Sequence, residues 1–277
     1  MLPQRRFAGD AMKHDKFLGV EPGRPVRPAL RFRDPERRPP GGHVVFLGGA
    51  ETRGEVLERP FPALVETALG VPCLNLGVAQ ASAEAFLADP EVVGTCRGAA
   101  LTVIEVMGAA NLSNRLYAVH PRRNDRFLRA LPALEAIVPG VDLCGVCFTR
   151  HLLRELRAAA PDRFDLVREE LRLAWRARMR TLIERVGGPV LLLRLPPEEG
   201  DPVLGPDPLF VTDAMVEALR PWVAGIVEVP AGAGRWTPEE REAAAHREVA
   251  AALVGPVRAA LAAQERVRAS RSAPGRR

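Results

Sequence analysis

The sequence predicts a three-layer α/β sandwich on a mostly parallel, five-stranded sheet. Two observations carry that expectation. Short, nearly unbroken apolar runs alternate with helical patterns five times along the chain, as in a parallel sheet covered by helices on both faces. The chain also has 277 residues, 47% of them in the hydrophobic set, enough for a proper core in one domain.

The elements follow in order. His43–Leu47 reads as a short buried strand, and Phe61–Leu69 as a helix whose Pro60 and Pro62 sit near its start, where prolines are tolerated. Val71–Leu76 is a second strand and Ala83–Ala88 a short helix. Ala99–Met107 gives the strongest strand signal, with Val103, Ile104 and Val106 nearly continuous. Helical spacing returns at Phe148–Ala159 and at Asp162–Val186, where Phe164, Val167, Leu171, Leu173, Trp175, Met179, Leu182 and Ile183 supply the buried side. Gly187-Gly188-Pro189 stops that helix. Val190–Leu195 is a strand, Thr212–Leu219 a helix and Ile226–Val229 a strand. Thr237–Ala263 closes the chain as a helix opened by a Thr-Pro-Glu-Glu cap.

Around this domain (43–263) lie two biased ends. Residues 1–42 are rich in proline, glycine and arginine and read as an extended lead-in that wraps the domain. Residues 264–277 carry five arginines and read as a disordered basic tail. No stretch approaches the ~20 apolar residues of a membrane helix. Met1 to Gly19 lacks the apolar run of a secretory signal, so a cytoplasmic, non-membrane protein is expected.

The net charge is +5, and Lys13 and Lys16 are the only lysines among 39 basic residues. That bias is the usual product of a GC-rich bacterial genome. The arginines are scattered among carboxylates rather than laid in a stripe, and aromatics are 5% of residues. Both facts disfavour nucleic acid as a partner, while a homo-oligomer is compatible with this composition. Cys144 and Cys147 form a Cys-x-x-Cys, the spacing of a redox dithiol or half a zinc site. No second pair completes a metal set, and the pair lies in an apolar run, so buried thiols are expected, with no metal.

In an open parallel sheet, sites gather at the carboxyl ends of strands. Gly48–Gly54 follows the first strand, and its Gly-Gly allows a sharp turn with backbone N–H groups free to meet an anion. It lacks the lysine of a nucleotide phosphate loop, so no cofactor is assigned. Asn75–Ser82 and Gly108–Arg115 follow the second and third strands. Their amides in Asn75, Gln80, Asn111 and Asn114 are donors suited to an oxyanion or a sugar hydroxyl. Val119–Phe127 is the chemically densest stretch. Arg122, Arg123 and Arg126 could clamp an anion, with His120 offering an imidazole and Asn124 and Asp125 further polar contacts. A solvated connection whose arginines pair with Asp125 and nearby glutamates is the alternative. Glu51 would then serve as an arginine's partner.

The order of these blocks resembles the SGNH/GDSL hydrolase superfamily, whose motifs run Gly-Asp-Ser-x-Thr-x-Gly, Asn-x-Gly-x-x-Gly, Gly-x-Asn-Asp and a late Asp-x-x-His. The frame matches at Gly48, Thr52 and Gly54, at Asn75 and Gly77, and at Gly108. The resemblance implies an SGNH-hydrolase-like sandwich, and the departures fall on the catalytic positions. Ala50 stands where that family has its serine, Gly49 replaces the aspartate, Gln80 falls near the oxyanion glycine, and Ala110-Asn111 replaces Asn-Asp. No Asp-x-x-His follows Val229, and His246 is similar to a later histidine on the family's final helix that is not the general base. A methyl group cannot attack a carbonyl.

The chain more closely resembles an uncharacterised bacterial family, known as a domain of unknown function, through Gly48–Gly54, Met107–Arg115 and Val119–Phe127. Together these readings predict a catalytically altered, carbohydrate-related relative of ester hydrolases. It would bind an anionic or saccharide ligand through Glu51, Thr52, Asn75, Gln80, Asn111, Ser113, Asn114, Arg115, His120, Arg122, Arg123, Asn124 and Asp125. Two alternatives are a saccharide esterase or acyltransferase using Ser113 or Ser82 with His120, and a non-catalytic protein meeting a polyanion or a partner subunit.

Overall fold

A computed structural model describes residues 30–33, 37, 41–231 and 238–272. The elements run β1 (Val44–Gly48), α1 (Ala50–Arg53), α2 (Phe61–Leu69), β2 (Cys73–Gly77), α3 (Ala83–Leu87), α4 (Pro90–Gly98), β3 (Leu101–Glu105), β4 (Tyr117–Val119), β5 (Phe127–Ala130) and α5 (Pro132–Ile137). They continue with α6 (Thr149–Ala159), α7 (Phe164–Val186), β6 (Val190–Arg194), β7 (Glu198–Asp201), β8 (Gly205–Asp207), α8 (Asp213–Glu217), β9 (Gly225–Glu228) and α9 (Pro238–Ser272). Five strands pair in parallel in the order β2-β1-β3-β6-β9, and β4-β5 and β7-β8 form two separate antiparallel hairpins.

Strand alternation divides the core into two. Val45, Leu47, Leu74, Ile104 and Leu192 face α3, α4, α6 and α7, whereas Val44, Phe46, Val103, Leu193 and Val227 face α2 and α9. Every residue of β1 and β3 is buried, as a strand covered on both faces requires. The helices start and stop on local chemistry. Ser82, Asp89 and Thr212 accept backbone N–H groups as N-caps of α3, α4 and α8, and Gly70 and Gly187 end α2 and α7 in the left-handed region.

The chain leaves β1 through α2 on one face and returns from β2 through α3 and α4 on the other. The strand order therefore reverses between β1 and β3, and the carboxyl ends of those two strands open a crevice.

Several expectations change. Cys73 and Cys96 are buried, and burial pushes both thiols up to about 12. Cys144 and Cys147, expected inside, are exposed. Residues 141–148 form no strand of the sheet but a surface turn, in which Val146 N–H donates to Leu143 O (3.1 Å), Asp142 caps Cys144 N–H (2.8 Å) and Gly145 has φ +81°. Leu173 lies on the solvent side of α7, 46% exposed. The closing helix continues past Gln264 to Ser272, and the Thr237 cap lies outside the described residues.

Most of 1–42 also lies outside the described residues. Of the rest, Leu30 is buried in the core and Arg37 pairs with Glu66 on α2 (2.6 Å). Among the described residues no three His, Cys, Asp or Glu side chains are placed to hold a metal ion, and no helix is long and apolar enough to cross a membrane.

Candidate functional site

The crevice between β1 and β3 is built around a buried carboxylate. Glu105, the last residue of β3, is 8% exposed, and its Oε2 accepts from Gly49 N–H (3.0 Å), Thr52 N–H (3.2 Å) and the Thr52 hydroxyl. A Cβ on Gly48 would lie 2.0 Å from Thr52 Oγ1 and 2.3 Å from Glu105 Oε2, so only glycine fits there. The turn thus spends the N–H groups of Gly49 and Thr52 on the protein's own carboxyl. Burial holds the Glu105 carboxyl above the usual range, against the opposing pull of the Thr52 and Gly49 donors.

The second strand end is locked to the first. Asn75 Nδ2 donates to Thr52 O (2.8 Å) while Asn75 Oδ1 accepts from Gly77 N–H (2.9 Å). A Cβ on Gly77 would sit 2.4 Å from Arg53 N. The loop after β3 is clamped from three sides. Trp175 Nε1 donates to Met107 O (2.7 Å), the Tyr117 hydroxyl to Ala110 O (2.6 Å), and Ala109 N–H to Leu209 O (2.9 Å).

A pocket of about 190 Å³ opens over this floor. Gly49, Ala50 and Glu51 line it after β1, Gln80 and Ala81 after β2, Glu105–Gly108, Ala110 and Asn111 after β3, and Arg194, Leu195 and Pro196 after β6. Arg150 of α6, Glu198 of β7, and Asp207, Pro208 and Leu209 complete the wall. Asn111 is held by Thr149 Oγ1 (2.6 Å to Oδ1) and reaches Gln80, whose backbone sits at φ +59°. Arg150 grips Asp207 through one Nη, 2.6 and 2.7 Å from the two carboxylate oxygens.

Glu51, half-buried in the pocket, is pushed up to about 7, first by burial and then by the carboxylates of Glu198, Glu105 and Glu242. It forms no ion pair among the described residues, so the arginine partner the sequence suggested for it is absent there. No serine, threonine, cysteine or histidine is among the described residues that line the pocket.

Of the residues singled out in the sequence, Glu51, Gln80 and Asn111 line the pocket and Thr52 lies beneath its floor. The others take different places. Ser82 is 1% exposed, caps α3 and donates to Asn124 Oδ1 (2.7 Å). Ser113 Oγ accepts from Val119 N–H (3.2 Å), and Asn114 Oδ1 accepts from Leu116 and Tyr117 N–H. Arg115 pairs with Glu170 on α7. Residues 120–126 form the loop of the β4–β5 hairpin. There His120 Nδ1 accepts from the N–H groups of Arg122 and Arg123 (3.2 Å each), both arginines are exposed, and Asp125 O accepts from Thr149 N–H (2.9 Å).

Sequence reasoning passed over Glu105, Arg150, Arg194, Glu198 and Asp207. Glu105 carried a readable signal, since a carboxylate ending the most apolar strand demands buried donors. His246 is 3% exposed behind the site. Its Nδ1 accepts from Phe61 N–H (2.9 Å), and burial, with a smaller push from Arg33, lowers it to about 4.

Fold and crevice together define a parallel α/β sandwich with a pocket of mixed polar and apolar lining at its topological switch point. The chain belongs to the family described as Domain of unknown function (DUF6473), which matches residues 12–273. No curated protein matches it in sequence.

Solved structures similar to it include a carbohydrate esterase family 2 enzyme with a carbohydrate-binding domain from Corynascus thermopiles (Myceliophthora fergusii). That match has a TM-score of 0.45 and 12% identity, over 82% of this chain and 69% of that one. A lipase from a goat rumen metagenome matches with a TM-score of 0.37 and 14% identity, over 79% and 97% of the two chains. An acetyl-xylooligosaccharide esterase from Geobacillus stearothermophilus matches at 0.42 and 13%, over 77% and 93%.

Proposed function

We propose that this chain is a catalytically altered relative of SGNH-type ester hydrolases that keeps the strand-end pocket to bind a carbohydrate-like ligand. One observation carries this reading. Ala50 sits at the pocket where that layout would place a nucleophile, and the adjacent N–H groups of Gly49 and Thr52 are spent on Glu105. The polar groups lining the pocket are the carboxyls and amides of Glu51, Glu105, Glu198, Asp207, Gln80 and Asn111, with the guanidiniums of Arg150 and Arg194, which are paired to Asp207 and to Asp213 and Glu228. Such groups exchange hydrogen bonds with sugar hydroxyls in both directions. The apolar wall of Val106, Met107, Leu195 and Leu209 suits the C–H face of a ring.

The relocated-nucleophile alternative finds less support. Ser82 is buried in a cap, and Ser113 and His120 are not among the residues lining the pocket. Restoring the hydroxyl alone would not restore chemistry. His43, His120, His151 and His246 all lie outside the pocket lining, and His14 lies outside the described residues.

The test pairs turnover with binding. Nitrophenyl acetate should be hydrolysed no faster than the buffer rate by the parent and by Ala50→Ser. Calorimetric titration with neutral mono- and oligosaccharides should show binding that Glu51→Ala weakens about tenfold, the loss of roughly one hydrogen bond of 1.4 kcal/mol. Enzymatic turnover abolished by Ser113→Ala or Ser82→Ala would establish the relocated nucleophile instead.

A further inference from the structure

A second hollow of about 330 Å³ adjoins the first and shares Val106, Arg194, Leu195, Asp207 and Pro208 with it. Its chemistry is different. Arg168 and Arg172, one turn apart on α7, and Arg194, at the end of β6, all line it. We propose that this hollow is an oxyanion site, taking a phosphate-type group carried by the ligand whose neutral part occupies the first pocket. The proposal deepens the saccharide reading and rests on it for that neutral part.

Each guanidinium already has a carboxylate partner, yet each keeps donors in reserve. Arg168 donates Nη2 to Asp165, leaving Nη1. Arg172 donates Nε to Phe210 O (3.1 Å) and Nη1 to Glu169 (2.6 Å), leaving Nη2. Arg194 spends its two Nη groups on Asp213 and Glu228, leaving Nε.

An arginine offers five N–H donors and no acceptor, so only an acceptor can satisfy those left over. Two arginines one helical turn apart also repel, which an anion between them would relieve. The acidic residues lining the hollow, Asp207 and Asp213, are engaged by Arg150 and Arg194.

Phe210 adds an independent sign. It lines the hollow at φ +63°, a left-handed conformation costly for a phenylalanine, and strain of that kind gathers at ligand clamps.

Titration calorimetry at constant ionic strength tests the site, with inorganic phosphate, glucose and glucose 6-phosphate as probes. Inorganic phosphate should bind with one site per chain, and Arg168→Gln should weaken it at least tenfold without shifting the melting temperature. Arg168→Lys, which keeps the charge but loses the paired Nη donors, guards against a misfolded variant and should also weaken binding. Glu51→Ala should leave phosphate binding unchanged.

Glucose 6-phosphate binding tighter than phosphate, and losing that margin in Glu51→Ala, would identify a sugar phosphate as the source. Phosphate binding as tightly as the ester would identify free phosphate, still at this site. Failure of glucose to bind the first pocket would sink the saccharide reading and leave the phosphate result standing. Absence of phosphate binding, or binding indifferent to Arg168→Gln, overturns the proposal.

Discussion

Glu51 of α1 and His246 of α9 oppose each other in pH. Glu51 is raised to about 7, so the folded chain holds a proton that the unfolded chain releases near pH 4.5. Its contribution to stability is full below about 4.5 and is lost as pH rises through 7. His246 is lowered to about 4 from 6.5, so its neutral, buried imidazole contributes stability above 6.5 that is lost as pH falls through 4. The two slopes oppose each other between pH 4.5 and 6.5. Glu51→Gln should therefore expose a stability that rises with pH across that window and flatten the decline toward 7. Urea midpoints measured at several pH values check this, and parallel curves for parent and variant would refute it. Glu105 differs from both, because three donors converge on one of its oxygens and fix the crevice floor.

Among the elements, the β4–β5 hairpin is the least expected from the pattern and the most dependent on one side chain. Asn124 is 1% exposed, accepts the Ser82 N–H (3.1 Å) and hydroxyl, and donates to His120 O (2.9 Å). It thereby fastens the arginine-rich loop to the N-terminus of α3. Asn124→Ala leaves two buried donors at Ser82 without their acceptor. That should cost about 2 kcal/mol, read as a lower urea midpoint. Asn124→Asp keeps an acceptor and should recover part of the loss. Exposed Arg122 and Arg123 should tolerate alanine with changes within about 0.5 kcal/mol. The stretch that looked densest in ligand chemistry is thus held in place by its one buried amide.

For the whole molecule, the two faces of the sheet are unequally covered. One side packs against α3, α4, α6 and α7 and holds the larger core, while among the described residues the other is covered by α2 and α9. Leu253 and Val257 of α9 are fully buried in that smaller core. Leu253→Ala should cost about 2–5 kcal/mol, because few neighbouring side chains can close the cavity. A loss below about 1 kcal/mol in chemical unfolding would mean that α9 contributes little to the fold.

Legible along the chain are the alternation of strand and helix, several helix ends, and the alanine that follows Gly48-Gly49. Each of these is local. Apolar runs mark buried parallel strands, Phe61–Leu69 carries its own proline start and glycine stop, and Ala50 is visible in one residue. The hairpins and α1 escaped because their strands and turns are too short to impose a period. The thiols of Cys144 and Cys147 misled because an apolar run says nothing about which layer receives it.

Which polar groups meet follows from packing rather than from chain order. Glu105 lies 56 residues from Gly49, and the crevice draws Arg150, Arg194 and Asp207 from three separate elements. Arg168 and Arg172 reach their hollow because α7 packs beside the segment after β8. Hydrogen-bond chemistry is set by distances of about 3 Å, and no spacing along the chain encodes distances between residues brought together by packing.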